Sequence, residues 1–257
     1  MNTHPVNAPV TLVTGGSSGI GLATAHALAQ KGHRLAIVAR DADRLARAEE
    51  ELRAAGAEVL TIEGDMGDPA WEGAILHATT ERFGRLDHLV HAAGYAPLAD
   101  LASSDHALCR EVFMVNTLGP IELTRRAAEV FRSQRDADDG WGGSVVAISS
   151  YASADPFPGF LAYAGAKAAV NVMTSVLADE LEPIGVRAYS IAPAAVETPM
   201  LRSIFDTETV PEEACLDPAD VARLVVSCIE GDPGIPSGAT RFIKRTDAGV
   251  RVTEQPI

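Results

Sequence analysis

The chain has 257 residues, of which 47% are hydrophobic and 22% are charged, as in folded globular proteins rather than disordered or fibrous ones. Its formal net charge of -14 would repel nucleic-acid phosphates and anionic lipid, so we expect neither a nucleic-acid partner nor a membrane partner. The chain start lacks the pattern of a secretory signal, and the 3 cysteines are too widely spaced for a disulfide framework or a metal site, so we expect a cytoplasmic protein without a bound metal.

Apolar segments that resemble strands alternate with periodic segments that resemble helices along most of the chain. Strands are predicted over residues 10–14, 34–39, 58–62, 86–91, 144–149, 186–192 and 240–243. Helices are predicted over residues 20–30, 41–55, 69–83, 104–132, 162–182 and 218–230. Because continuous apolar strands between helices are typical of a parallel sheet covered on both faces, we predict an α/β, three-layer, doubly wound fold with about seven parallel strands.

Four segments depart from this alternation. We expect residues 1–8 to be a flexible start, and the Asp- and Gly-rich residues 135–143 to form a surface loop. Residues 198–216 lack clear periodicity and are predicted to cover a substrate site as a lid. The sequence 245–257 is treated as a divergent tail, and no linker divides the chain, so residues 1–257 are expected to form a single domain.

A glycine-rich turn, TGGSSGIG at residues 14–21, follows the first predicted strand and opens the first predicted helix. Glycines at such a turn let backbone N–H groups and a helix N-terminus approach a pyrophosphate closely. A turn without a ligand would explain the glycines equally well in isolation. Its position after a first strand and before a helix favours phosphate binding.

Arg40 follows the second predicted strand, where the adenosine ribose of a dinucleotide usually lies. A cation there accommodates a ribose 2′-phosphate, whereas an acidic residue binds a free 2′-hydroxyl. Arg40 therefore indicates NADP(H), with NAD(H) possible because Asp41 is adjacent. The alternative is a solvated arginine at the start of a helix.

Tyr163 and Lys167 lie four residues apart in a predicted helix and so share one face of it. A cation near a phenol favours the phenolate, and we expect the pKa of Tyr163 to be lowered by roughly two to three units into the range of a general acid or base. The alternative is an ordinary pair of residues on a helix surface.

With these residues in place, the chain resembles the short-chain dehydrogenase/reductase family over residues 8–230. The match consists of TGGSSGIG, Asp65, Ala93-Gly94, Asn116, Ser149-Ser150, Tyr163, Lys167 and PAAVETPM at 193–200. The resemblance implies a Rossmann fold, hydride exchange between a nicotinamide and a ketone or secondary alcohol, and a homodimer or homotetramer. Its small-molecule substrate would be a carbonyl compound or an alcohol.

The same resemblance assigns residue roles. The catalytic set is Asn116, Ser150, Tyr163 and Lys167, in which Ser150 binds the substrate carbonyl, Tyr163 exchanges the proton, Lys167 binds the nicotinamide ribose and Asn116 holds a water of a proton relay. Asp65 would contact the adenine, and Val196 and Thr198 the nicotinamide end. The full set expected to bind the cofactor is Gly15, Ser17, Ser18, Gly19, Ile20, Gly21, Arg40, Asp65, Met66, Ala93, Gly94, Tyr163, Lys167, Pro193, Val196 and Thr198.

Some residues depart from the pattern of the family. Ala92 stands where an asparagine usually braces the turn after the fourth strand, and His91 is a candidate to replace that brace. Ala194 replaces a usual glycine, and the tail lacks the usual Asp-Gly-Gly. An apolar substrate pocket is expected from Tyr95, Pro97, Tyr151, Phe157, Phe160, Leu201 and Phe205.

The sequence leaves three functions to compare. The first is an NADP-dependent carbonyl reductase, and the second is an NAD-dependent alcohol dehydrogenase, which the residue at position 40 distinguishes from the first. The third is a non-catalytic dinucleotide sensor, which would need the glycine-rich turn but no proton donor. The presence of all four catalytic residues favours an enzyme.

Overall fold

A computed structural model describes residues 8–138 and 142–256, and these residues form a single eight-stranded sheet flanked by helices. The strands are Val10–Thr14 (β1), Arg34–Ala39 (β2), Val59–Glu63 (β3), His88–His91 (β4), Gly143–Ile148 (β5), Val186–Pro193 (β6), Thr240–Thr246 (β7) and Gly249–Thr253 (β8). Their order across the sheet is β3-β2-β1-β4-β5-β6-β7-β8. The first seven strands are parallel, and β8 pairs antiparallel with β7.

Helices cover both faces of the sheet. They are Gly19–Gln30 (α1), Ala42–Ala54 (α2), Trp71–Phe83 (α3), His106–Phe113 (α4), Gly119–Ala137 (α5), Leu161–Leu181 (α6), Pro199–Arg202 (α7) and Pro218–Glu230 (α8). Buried residues of α1, α2 and α8 form one apolar core with one face of the sheet, and those of α3, α5 and α6 form a second core on the other face. The fold is thus the predicted three-layer, doubly wound Rossmann fold.

The tail contains a strand that the sequence did not predict. The sequence analysis treated residues 245–257 as a divergent tail and assigned no element to them, but β7 continues to Thr246 and turns into β8. Gly249 adopts a positive φ of 104° at this turn, and the Thr246 hydroxyl donates to its carbonyl. Positive φ is accessible to glycine at little cost, so a hairpin replaces the missing Asp-Gly-Gly ending.

The surface loop expected from residue 135 begins later, because α5 continues to Ala137. Gln134 holds this last turn in place, accepting from the Leu86 N–H at 2.8 Å and donating to its carbonyl at 2.6 Å. Residues 139–141 of the predicted loop lie outside the described residues, as do residues 1–7 of the predicted flexible start. Ala8 is already buried, and its carbonyl accepts from Arg34.

Candidate active site

A cleft of about 660 Å³ opens at the carboxyl ends of the strands, where the strand order reverses between β1 and β4. This is the crevice in which doubly wound sheets bind their ligands. The predicted cofactor residues that line it are Gly15, Ser17, Ser18, Gly19, Ile20, Gly21, Arg40, Asp65, Met66, Ala93, Gly94 and Thr198. Tyr163, Lys167, Pro193 and Val196 line an adjoining cavity of about 470 Å³, so the fold brings the whole predicted set to one place.

The glycine-rich turn fits closely against its neighbours. A Cβ on Gly15 would lie 2.7 Å from the Ala93 nitrogen, and a Cβ on Gly21 would lie 2.2 Å from the Gly15 carbonyl oxygen. Gly15 and Gly19 have positive φ, of 69° and 53°. Because α1 begins at Gly19, its first N–H groups have no partner within the helix and are suited to an anion. The residues present therefore fit the pyrophosphate of a dinucleotide.

Two arginines border the other end of this cleft. Arg40 is largely exposed, and its Nη1 lies 3.8 Å from the Asp65 carboxylate. Arg44, which the sequence analysis missed, also lines the cleft and is paired with Asp41 at 2.8 Å. The signal for Arg44 was its place in the first turn of α2, which begins directly after Arg40 and Asp41.

The adjoining cavity contains the predicted catalytic side chains. Ser150 follows β5 and lines this cavity together with Tyr163 of α6, and its hydroxyl accepts from the Ala152 N–H at 3.2 Å. Lys167 lies one turn further along α6, with Nζ 5.7 Å from the centre of the Tyr163 ring. Its Nζ is buried and donates to the Ile148 carbonyl at 2.8 Å. The two side chains share one face of the helix as the spacing predicts.

The expected lowering of the Tyr163 pKa is wrong for this arrangement. Burial raises the pKa of Tyr163 above its usual value, and the hydrogen bond from Ser150 opposes that rise only in part. Burial also lowers the pKa of Lys167 to about 8. Lys167 lies over the ring and is bound to a carbonyl, so its charge does not offset the loss of solvent around the phenol. Tyr163 is therefore protonated at neutral pH.

Asn116 lies behind the cavity rather than in its lining. It sits in a π-helical segment, Met114–Leu118, between α4 and α5. Its amide nitrogen donates to the carbonyls of Tyr95 at 2.7 Å and Val112 at 2.8 Å, and its oxygen accepts from the Tyr95 N–H at 3.3 Å. A Cβ on Gly94 would lie 3.2 Å from the Asn116 oxygen and 3.8 Å from the Lys167 Nζ. Asn116 therefore braces the segment after β4.

His91 does not provide that brace. Its Nε2 is hydrogen-bonded to the Thr124 hydroxyl at 2.8 Å, on the side of the sheet covered by α5. The turn is held instead by Thr14, whose carbonyl accepts from the Ala92 N–H at 3.2 Å and whose hydroxyl accepts from the Ala93 N–H at 3.3 Å. The role of the missing asparagine is thus shared by Thr14 and Asn116.

The segment predicted as a lid is closed on itself by hydrogen bonds. Its two ends pair where the Leu216 N–H donates to Ala195 and the Glu197 N–H donates to Leu216. Between them, Arg202 forms a two-point ion pair with Glu197, one bond of which is 2.7 Å long. The same guanidinium donates to the carbonyls of Phe205, Asp206 and Val210, and contacts the Cys215 sulfur.

The wall of the second cavity is apolar. Five of the seven predicted pocket residues line it, and Tyr95 and Pro97 line the neighbouring cleft. The sequence analysis missed Met200, Ile204 and Val210, which also line the second cavity. They lie within or beside the non-periodic segment, where no pattern indicates which side chains face inward.

The family model described as short chain dehydrogenase matches residues 9–209 of the chain. The chain belongs to the short chain dehydrogenase family. Ipsdienol dehydrogenase of Ips pini is 32% identical over 200 residues, which cover 75% of this chain and 76% of that protein. The putative ketoacyl reductase 2 of granaticin polyketide synthase from Streptomyces violaceoruber is 31% identical over 240 residues, covering 89% and 92% of the two chains.

A solved structure supports the same fold. A variant of actinorhodin polyketide ketoreductase, determined with NADPH, superposes with a TM-score of 0.83 and 27% identity, covering 93% of this chain and 97% of that one. Members of the short chain dehydrogenase family bind NAD(P)H. This chain is accordingly an oxidoreductase of that family, acting on CH–OH or C=O groups.

Proposed function

We propose that the protein is an NADP(H)-dependent carbonyl reductase or alcohol dehydrogenase in which Tyr163 is the general acid and base. The observation that carries this proposal is that Ser150, Tyr163 and Lys167 line one cavity, directly beside a cleft bounded by a phosphate-binding glycine turn. A protonated phenol, a hydroxyl in the same cavity and a buried ammonium are the groups that a carbonyl reduction requires.

Each side chain of the catalytic set has its own role in the reaction. The bound nicotinamide would supply or accept the hydride. Ser150 donates to the substrate carbonyl oxygen and orients it, while Tyr163 transfers its proton to that oxygen. Lys167 binds the ribose hydroxyls next to the nicotinamide, and its charge stabilises the phenolate once the proton has left. Asn116 keeps the segment after β4 in position and is proposed to hold the water that resupplies the proton.

The raised pKa of Tyr163 keeps the phenol in the free protein in the form that a general acid needs. A phenol that is protonated at neutral pH is ready to donate to a carbonyl oxygen, whereas oxidation of an alcohol first requires the phenolate. Preference for NADP(H) is supported by Arg40, with Arg44 as a second cation in the same end of the cleft. NAD(H) is the second candidate, favoured by the Asp41 carboxylate that also lines this end.

Tyr163→Phe tests the catalytic role. The variant removes the proton donor and keeps the ring against Phe160, so we expect at least about a hundredfold loss of kcat with NADPH and a ketone, and an unchanged coenzyme Kd. Tyr189→Phe is the matched control, because Tyr189 is buried in the core of β6 away from both cavities. Full turnover in Tyr163→Phe would refute the assignment.

The domain organisation, the lid, the location and the assembly of the protein belong to the same proposal. Residues 1–257 act as a single domain, and residues 198–216 act as a lid over the substrate cavity. The protein is cytoplasmic and assembles into a homodimer or homotetramer without nucleic acid or membrane. Leu161–Ile184 has the length and hydropathy of a membrane-spanning helix, with 28% of its apolar window buried, and the α6 part of it carries Tyr163 and Lys167 into the cavity.

A further inference from the structure

The aromatic side chains of the substrate cavity form a single cluster. Phe157 and Phe160 have ring centres 4.5 Å apart, and Phe205 from the lid lies 6.1 Å and 6.3 Å from them. Tyr163 lies 5.1 Å from Phe160, so the proposed proton donor adjoins this cluster. A substrate whose carbonyl reached Tyr163 would therefore place the rest of its surface against aromatic rings.

Charge is scarce in this cavity. Within the described part of the chain, its lining contains two charged residues, Lys167 and Asp155. Lys167 is buried and already bound to the Ile148 carbonyl. Asp155 is exposed, and its N–H donates to the carbonyl of Tyr151, which also lines the cavity.

Two other cations, Arg202 and Lys244, contact residues of the cavity lining but do not line the cavity themselves. Arg202 is bound to Glu197 and to carbonyls of the lid. Lys244 lies 5.5 Å from the centre of the Tyr151 ring and does not line the cavity. An anionic group on a substrate would thus meet Asp155 without a cation of its own.

The lid increases this negative charge. Residues 198–216 contain a single basic residue, Arg202, and four exposed carboxylates, Asp206, Glu208, Glu212 and Glu213. The summed field of such a segment repels anions that approach the cavity and lowers their association rate.

We propose that the substrates are uncharged, largely apolar carbonyl compounds or alcohols, and that Asp155 discriminates against those with an anionic group. This inference rests on the proposed function and names the substrate class of the same site. Free ketones and aldehydes with an apolar body fit the aromatic wall. Substrates with a carboxylate or phosphate a few bonds from the reacting carbonyl would place that anion beside the Asp155 carboxylate, which costs free energy.

Acetophenone and 4-acetylbenzoate test this inference because they differ only in a carboxylate at the end remote from the reacting carbonyl. We expect the parent protein with NADPH to have at least a tenfold higher kcat/KM for acetophenone. Asp155→Asn is expected to reduce that ratio, and Asp155→Lys to reduce it further, chiefly by raising kcat/KM for 4-acetylbenzoate. Glu50→Gln, which removes an exposed carboxylate of α2, should leave the ratio unchanged.

Two results would overturn the inference: equal use of both ketones by the parent, or an unchanged ratio in both Asp155 variants. If neither ketone is reduced with NADPH or NADH, the proposed function has failed for them, and binding decides the inference instead. Calorimetric titration of each ketone into the parent with coenzyme should then give a weaker Kd for 4-acetylbenzoate, and a smaller difference in Asp155→Asn. Equal Kd values in the parent would reject the role of Asp155 independently of catalysis.

Discussion

Arg40, at the end of β2, lies near a second arginine and near two aspartates. Arg44 adds a second guanidinium, whereas Asp41 and Asp65 pair with these arginines in the free protein. A 2′-phosphate would replace the long 3.8 Å contact between Arg40 and Asp65 with a shorter, charge-assisted hydrogen bond. The coenzyme preference therefore depends on how readily Arg40 leaves Asp65.

Arg40→Ala measures that preference. Loss of one charge-assisted hydrogen bond should raise the Kd for NADP by roughly ten- to a hundredfold and leave the Kd for NAD within about twofold. Arg47→Ala is the control, because Arg47 is exposed on α2 and does not line the cleft. Equal affinities of the parent for NADP and NAD would contradict the proposed preference.

At single residues, the sequence predicted identity and spacing better than electrostatics. The shared helix face of Tyr163 and Lys167 follows from a four-residue spacing, and the structure confirms it. The predicted direction of the shift in the Tyr163 pKa was wrong, because the shift depends on burial and on the Ile148 carbonyl that binds Lys167. Those neighbours come from a different element, so the local pattern of residues does not contain them.

Helix α6 has one face in the cavity and another that is exposed. One face carries Tyr163 and Lys167 to the cavity, and the other presents Val172 and Val176, whose exposed fractions are 67% and 51%. Leu161, at the start of the helix, is a further exposed apolar residue of α6. Exposed aliphatic residues one turn apart are typical of a surface that is covered in an oligomer.

Val172→Glu with Val176→Glu should convert the proposed assembly into monomers, because two carboxylates would be buried against apolar side chains. Sedimentation velocity would then report one chain of 26.9 kDa instead of a multiple of that mass. Val250→Glu with Val252→Glu is the matched control, because it places two carboxylates on a different exposed apolar surface, that of β8. A parent that already sediments as a single chain would rule out the assembly.

Helices and strands with a clear hydrophobic pattern were predictable from the sequence. Segments whose conformation is determined by contacts with other elements were not. The bounds of β1, β2 and α8 agree with the sequence prediction, since a buried run or an apolar stripe is visible in each. The π-helical segment around Asn116 was not visible, because the residues there read as one continuous helix. The inward side chains of the lid were missed for the same reason: hydrogen bonds of Arg202, rather than a repeating pattern, determine its path.

Three buried histidines make the stability of the whole molecule sensitive to acid. Burial lowers the pKa of His88 to about 3 and of His91 to about 3, and it lowers the pKa of His33 as well. The unfolded chain has histidines near 6.5 and so binds more protons than the folded chain below that pH. Stability is therefore retained above pH 6.5 and lost as the pH falls from 6.5 towards 3.

His91→Asn tests this linkage. The thermal midpoint of the parent should fall between pH 7.5 and pH 5.5, and the variant should show a smaller fall over the same range because one buried imidazole is gone. His77→Asn is the control, since the His77 side chain is 79% exposed and its replacement should leave the fall unchanged. An identical fall in parent and His91→Asn would show that His91 does not contribute.

In the lid, the hydrogen bonds of Arg202 hold the main chain, and other residues supply the side chains that face the cavity. These hydrogen bonds go to Glu197 and to main-chain carbonyls, whereas Ile204, Phe205 and Val210 turn their side chains to the cavity. Replacing those three side chains leaves every acceptor of the guanidinium in place. Libraries that vary positions 204, 205 and 210 while keeping Arg202 and Glu197 would thus change substrate selectivity and leave the main chain of the lid unchanged.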